Sequence, residues 1–339
     1  MAKKTLDLKF WIGIGISAVC LVLLFRKIEM DKVAAAFREM DWRYLVPAVL
    51  ATFASYFCRA VRWRFLLLPL KRTALSSLYP ATIIGYMANN LLPARLGEFV
   101  RAYVLARKEG LEASAVFATL VVDRLWDGFT VLLMLLVTVF TLRLPPGMEG
   151  VQQGMVTGGY ITLAVYCAAI CFLVTLKRRT AWTVKMIGQL LRPFPAVVSD
   201  KVIPLLGSFI GGLRLTAGPQ GLVAIFGSSL VIWGFAVWPV DLLLRSFGIV
   251  LPVAGSLFIM VFLVFAVMVP ASPGYVGTYH FACVTALSAF NVQSEKALSI
   301  ALVIHGTSFF PVIAAGFYHL WRDKLSLATL RDHPIGEER

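Results

Sequence analysis

The chain has 339 residues, 59% of them hydrophobic and only 15% charged, with a mean hydropathy of +0.81. A soluble domain keeps about a quarter of its residues charged, so this composition excludes an ordinary soluble fold and predicts an all-α polytopic membrane protein. The formal net charge of +14 is not a nucleic-acid signature. The basic residues gather where apolar runs end (Arg59 to Arg72, Lys177 to Arg179, Arg322 and Lys324), as they do in cytoplasmic loops of membrane proteins.

Leu8 to Phe25 holds 18 residues with Lys9 its one charge, enough to cross a hydrocarbon core of about 30 Å. Lys3-Lys4 ahead of it imitates a signal peptide, but Arg26-Lys27 follows where a small-residue cleavage site would stand, so the segment reads as a retained signal anchor. Asp31 to Met40 spaces Val33, Phe37 and Met40 at helical intervals among charges and predicts a short helix on the membrane surface. Tyr44 to Phe65 is the second span. It ends in Arg59, Arg62 and Arg64 around Trp63, a basic and aromatic end of the kind that snorkels to head groups.

Ser77 to Asn90 is apolar for 14 residues, about 21 Å of helix, and is too short to cross. It runs into a polar knot, Asn89-Asn-Leu-Leu-Pro93-Ala-Arg95-Leu-Gly97-Glu98-Phe-Val-Arg101, at what should be membrane depth. Ionisable groups there are costly and mark pathways. The segment predicts a re-entrant hairpin whose broken backbone is shielded from lipid.

Ala115 to Leu142 is a long span with Asp123, Arg124 and Asp127 in its first half, the two carboxylates on one face by their i, i+4 spacing. Gly159 to Leu176 crosses back and stops at Lys177-Arg178-Arg179. Residues 180–220 mix Lys185, Arg192, Lys201 and Arg214 with apolar residues and prolines, and read as a cytoplasmic interfacial linker. Leu222 to Leu244 is the next span. Ser256 to Val269 then leads into Pro270-Ala-Ser272-Pro273-Gly274-Tyr-Val-Gly277-Thr-Tyr-His280, a second broken hairpin. Ala297 to Trp321 is the last span, ending in Arg322-Asp323-Lys324.

Six full spans and two hairpins result, with both termini in the cytoplasm and the hairpins entering from opposite faces. A shift of 180 residues lays Tyr44 to Arg64 on Ala224 to Leu244, Pro93 and Gly97 on Pro273 and Gly277, and Phe117 to Thr141 on Ala297 to Trp321. The single membrane domain, residues 1–339, thus reads as an inverted-topology repeat, residues 41–142 and 221–322.

Proline suits the first position of a helix, so helices are expected to restart after Pro93 and Pro273 and to present free N–H groups and a partial positive charge to an anion. Arg95 and Arg101 add formal charge able to hold phosphate, Arg62 and Arg124 can converge there, and Glu98 lies three residues from both Arg95 and Arg101, close enough to hold them. The alternative is that these charges neutralise one another and pin helices, with Asn89 and Asn90 capping the hairpin. Ser272, Pro273, Gly274 and Gly277 act on the backbone, and His280 titrates near neutral pH. The five cysteines, Cys20, Cys58, Cys167, Cys171 and Cys283, lie within or at the ends of apolar stretches and read as small hydrophobes. No metal-binding, hydrolase-elbow or phosphate-loop motif is present, so no metal or cofactor is expected. An intramembrane transferase using Asp123 and Asp127, or a membrane scaffold subunit, stands as the alternative to transport.

The stretches Asn90-Leu-Leu-Pro93-Ala-Arg95-Leu-Gly97-Glu98-Phe-Val-Arg101, Asp123-Arg124 with Asp127, and Pro270-Ala-Ser272-Pro273-Gly274-Tyr-Val-Gly277 resemble the flippase-like membrane family typified by the transmembrane region of lysylphosphatidylglycerol synthase. The resemblance covers nearly the whole chain. It implies movement of a lipid between leaflets of a bacterial inner membrane, a lipid as partner in place of nucleic acid, and Asn90, Arg95, Glu98, Arg101, Asp123 and Arg124 along the head-group path. Assembly into a homo-oligomer is compatible with it. The third stretch departs from the family pattern: Tyr275 replaces a glycine, and His280 stands where an acidic residue is usual, which implies a more anionic substrate than a lysylated lipid. The sequence ends at Arg339 with no soluble aminoacyl-transferase domain, so synthase activity is not expected.

Overall fold

In a computed structural model of the chain, the residues described are 2–26, 28–92, 96–142, 147, 149–190, 196–213, 218–268 and 272–325. Among them the structure is helical throughout, with thirteen α-helices and no strand. The chain is an all-α polytopic membrane protein. In order the helices are α1 (Ala2–Phe25), α2 (Met30–Glu39), α3 (Leu45–Leu67), α4 (Leu75–Leu91), α5 (Gly97–Glu109), α6 (Ala113–Thr141) and α7 (Glu149–Arg178). They continue as α8 (Thr180–Leu190), α9 (Ala196–Gly212), α10 (Gly218–Ser246), α11 (Val253–Met268), α12 (Thr278–Ser288) and α13 (Ser294–Arg322).

The six expected spans correspond to α1, α3, α6, α7, α10 and α13. Four helices among the described residues are long and apolar enough to cross a membrane on those criteria alone: Trp42–Leu67, Glu149–Arg178, Gln220–Ser246 and Ser294–Arg322. A fifth is reached if Trp11–Phe25 and Met30–Glu39, which meet at 85°, count as one bent span. α2 is the short amphipathic helix expected at Asp31 to Met40. α6 is 29 residues long but carries Asp123, Arg124 and Asp127, for which the rest of the fold has to provide partners.

α3 and α10 form the most extensively packed helix pair among the described residues. Around them the helices exchange partners in a regular way: α4 packs on α13 and α11 on α6, while α5 packs on α6 and α12 on α13. Two hydrophobic cores follow from this. One joins Trp63, Leu67, Ile84, Leu105 and Leu120 from α3 to α6. The other joins Ile232, Leu243, Phe258, Leu287 and Ile300 from α10 to α13. α4 and α5 approach at van der Waals limits, because a Cβ on Gly97 would stand 2.1 Å from the Gly85 carbonyl oxygen. Glycine is therefore required there for packing rather than for a turn.

The outside is apolar. Phe140, Tyr160, Val165 and Phe172 are 80%, 70%, 65% and 65% exposed, more apolar surface than a protein surrounded by water leaves open. α7 lies on this periphery and is tied to α6 by the Tyr166 hydroxyl, which donates to the Leu125 carbonyl. The expected linker contains α8 and α9. α9 packs against α6 closely enough that Gly212 faces the Ala115 backbone, and Ile210, with Leu213 just beyond the helix, joins the first core.

Candidate functional site

The site grows from three arginines and three carboxylates that this packing forces together, with a fourth arginine at its edge. Arg59 and Arg62 occupy one face of α3 by their i, i+3 spacing, opposite Asp123 and Asp127 of α6. Arg62 bridges the two carboxylates, Nε to Asp123 Oδ1 at 2.8 Å and Nη2 to Asp127 Oδ1 at 2.7 Å, and donates Nη1 to the Ser229 hydroxyl of α10 at 2.9 Å. Arg59 Nη1 reaches Asp127 Oδ2 at 2.8 Å, and Arg101 Nη1 reaches Asp123 Oδ2 at 3.3 Å. The Arg101 guanidinium also lies 4.0 Å over the Trp63 ring, and Trp63 Nε1 donates to Thr119 Oγ1 at 2.9 Å. Arg124 contacts Asp127 Oδ2 at 3.0 Å, Asp123 Oδ2 at 3.3 Å and Glu98 Oε1 at 3.5 Å, and donates to the Tyr86 hydroxyl at 3.0 Å.

Taking ions out of water costs several kcal/mol each, and only close partners offset it. Four guanidinium groups meet three carboxylates here, which leaves one formal positive charge. The four are not equivalent. Arg62 and Arg101 side chains are 0% and 1% exposed and hold helices together. Arg124, 37% exposed, and Arg59 instead line a cavity of about 480 Å³ with Asn89, Asn90, Glu98 and Asp127. The other wall of that cavity is apolar, from Met260, Leu263, Val264, Phe265 and Met268 of α11 and Phe309 of α13. Tyr56, Tyr86, Trp233 and Tyr279 also line it.

The broken segments meet at this cavity. The Tyr275 hydroxyl donates to the Asn89 carbonyl at 3.4 Å, and a Cβ on Gly274 would stand 3.7 Å from the Asn90 carbonyl oxygen. Their helix starts differ from the expected open anion sites in two ways, however. The Asn89 side chain accepts the Gly97 N–H at 2.8 Å, so it caps α5. Pro273 opens a short 3₁₀ turn, Pro273–Tyr275, in place of an α-helix, and α12 begins only at Thr278. Gly277, at φ 96°, seats against the Ser17 carbonyl of α1, and the Ser17 hydroxyl accepts the Ser272 N–H at 2.9 Å. Ser272 and Gly277 therefore serve the contact with α1. Pro93 and Arg95, and Pro270, lie outside the described residues.

Three further placements differ from the reading of the sequence. Glu98 pairs across to Arg124 in α6 among the described residues, not with Arg101 three residues away. Arg59, which the sequence assigned to the interface, is enclosed because α6 and α10 cover that face of α3. His280 is buried with Nε2 3.3 Å from His305 Nδ1, and it is His305 that borders the cavity. Among the described residues no group of three or more His, Cys, Asp and Glu side chains is arranged to hold a metal.

An all-helical membrane protein with a largely apolar cavity that carries a charged patch, set between two sets of helices, is the class defined by this geometry. The chain belongs to the family described as the lysylphosphatidylglycerol synthase TM region, which it matches over residues 10–316. Among its relatives is Glycosyltransferase AglD of Haloferax volcanii, 26% identical over 94% of this chain; the chain spans 55% of that protein's length. UPF0104 membrane proteins of Methanothermobacter thermautotrophicus and Methanocaldococcus jannaschii are 24% and 22% identical, over 90% and 89% of this chain and 92% and 91% of theirs. No solved structure matches.

Proposed function

We propose that the protein is a lipid translocator, moving an anionic, phosphate-bearing glycero- or polyprenyl-lipid between leaflets and carrying out no chemistry on it. The observation that carries this reading is the two-sided cavity. Arg59 and Arg124 supply charge-assisted donors suited to a phosphate, while α11 and Phe309 present the apolar surface that an acyl or prenyl chain needs. The charges on the cavity wall balance, two arginines against Glu98 and Asp127, and the buried Arg62 and Arg101 behind them give the network one surplus positive charge.

The order α3, α4, α5, α6 with 23, 17, 13 and 29 residues is followed by α10, α11, α12, α13 with 29, 16, 11 and 29. Together with the exchange of packing partners, this supports an inverted repeat, residues 41–142 and 221–322. Rocking of one repeat against the other would open the cavity alternately to each side. We assign the protein to the cytoplasmic membrane with both termini inside, on the strength of the basic residues at the ends of its apolar runs.

In proteoliposomes containing a labelled phospholipid, the Arg124→Gln protein should flip lipid at least about tenfold more slowly than the parent, the loss of one charge-assisted pair. A normal rate overturns the assignment. The name of the Haloferax relative supports a second reading, an intramembrane transferase. That reading requires a covalently altered lipid, which mass spectrometry of extracted membranes would detect, and translocation requires none.

A further inference from the structure

His280 stands in the first turn of α12 and meets His305 of α13 nitrogen to nitrogen, His280 Nε2 to His305 Nδ1 at 3.3 Å. On the other side of its ring, His280 Nδ1 accepts the Gly277 N–H at 3.4 Å, the reach-back contact by which a side chain in the first turn serves the residue that opens the helix. Gly277, at φ 96°, lies against the Ser17 carbonyl of α1, and the Ser272 N–H donates to the Ser17 hydroxyl at 2.9 Å. The Tyr275 hydroxyl reaches the Asn89 carbonyl at the end of α4. The segment from Ser272 to Gly277 therefore bridges α1 and α4 beside the main cavity, and His280 holds its last residue.

Proton counting fixes the state of the pair. Two nitrogens at hydrogen-bond distance need one proton between them, and a nitrogen that accepts an N–H must be bare. Two neutral rings carry two protons, which sit on His280 Nε2, shared with His305, and on His305 Nε2. A third proton that keeps the ring-to-ring contact has one place left, His280 Nδ1, where it faces the Gly277 N–H as donor against donor. Binding one proton thus takes the acceptor away from a buried N–H and unseats Gly277.

No ion among the described residues pairs with either ring. Tyr279 stacks on His305 at 4.8 Å with Cys283 beside it, α11 carries no ionisable side chain, and α1 meets Gly277 through Ser17 and Leu21. His305 borders the main cavity, where Tyr56, Tyr86 and Tyr275 are uncharged at neutral pH and Arg59 and Arg124 balance Glu98 and Asp127. His280 is 5% exposed, so a proton arrives from that cavity by way of His305.

We infer that the His280–His305 pair is a proton-binding site whose occupation releases the Ser272–Gly277 segment from α1 and couples lipid movement to proton uptake. The coupling rests on the lipid-translocation reading; the site itself does not. Nitrogen NMR of histidine-labelled protein in lipid bilayers reads each ring, with His280→Gln and His305→Gln spectra assigning the signals. At the alkaline end His280 should show a bare Nδ1 and a protonated Nε2, and between about pH 8 and about pH 4 the pair should gain one proton at His280 Nδ1. Amide exchange of residues 272–277, corrected for the intrinsic effect of pH, should rise in the same step. It should show no such step in His280→Gln, whose amide oxygen keeps the cap and takes no proton. A pair that stays neutral through this range, or that takes its proton with no change in the segment, overturns the inference. In proteoliposomes, a pH difference of one unit imposed in one of its two directions should change the flipping rate of labelled phosphatidylglycerol several-fold, about tenfold being the ceiling for one proton, and His280→Gln should remove that dependence. Flipping indifferent to the gradient in a protein whose pair titrates overturns the coupling. A titrating pair in a protein that moves no lipid removes translocation and leaves the proton site.

Discussion

Asp123→Asn and Arg124→Gln each remove one charge from the same network, yet the difference in their own burial predicts opposite phenotypes. Asp123 is 0% exposed and faces Arg62 at 2.8 Å and Arg101 at 3.3 Å, which are themselves 0% and 1% exposed. Replacing the carboxylate with an amide strips the buried Arg101 of its paired carboxylate and leaves Arg62 with Asp127 alone, a change that costs about 3–5 kcal/mol when a buried pair is broken. Arg124 stands on the cavity wall at 37% exposure, and when it is lost its buried partners Asp123 and Asp127 keep Arg59, Arg62 and Arg101, so the change costs about 1 kcal/mol or less. Both variants are purified in detergent, followed by thermal melting and size exclusion, and those that remain folded are reconstituted for the flipping assay. Asp123→Asn should melt far below the parent or fail to purify as a single species. Arg124→Gln should melt close to the parent and flip lipid slowly. An Asp123→Asn protein as stable as the parent, or an Arg124→Gln protein equally damaged, refutes the division into pinning and cavity-facing arginines.

Gly97→Ala should destabilise the α4–α5 hairpin by about 1–3 kcal/mol, because the new Cβ falls 2.1 Å from the Gly85 oxygen and 2.5 Å from the Asn89 side chain. Gly234→Ala in α10, with nothing within 4 Å, should be neutral or slightly stabilising in the same melting experiment. At the end of α13, Lys108 of α5 reaches Asp323 at 3.0 Å. Burial pushes the Asp323 carboxyl up, but hydrogen bonds from Lys108 and Arg322 outweigh it and hold the group below its ordinary value of 3.8. A carboxyl lowered on folding stabilises above its ordinary value and loses that contribution as pH falls through the lowered one. Asp323→Asn should therefore lower the melting temperature slightly at neutral pH and make it less sensitive to acid below about pH 4, where the parent loses the same contact. A parent and variant that differ equally at both pH values would contradict this.

Local features of the fold were legible in the sequence and cross-chain ones were not. Apolar run length located the long helices, and the i, i+4 spacing of Asp123 and Asp127 put both carboxylates on one face before any partner was visible. Asn89 and the glycines marked the broken segments for the right physical reasons, a cap at Gly97 and close backbone approaches. Which charge meets which depends on helices far apart in sequence. Spacing suggested that Glu98 would hold Arg101, whereas packing gives it to Arg124. Arg59 and Arg62 have the composition of a snorkelling helix end, and they are buried because α6 and α10 close over that side of α3. The Tyr56 to Arg59 spacing, one helical turn, was the available sign that this face is built for more than an interface. The pairing of His280 with His305 joins residues 25 apart, which no local pattern reveals.

A cryo-electron microscopy structure of the protein with its co-purified lipid bears most directly on the central claim. The lipid phosphate should be found within hydrogen-bond reach of the Arg59 and Arg124 guanidinium groups, with its chain along α11. A phosphate bound outside that cavity, with the cavity filled by protein side chains, would contradict it.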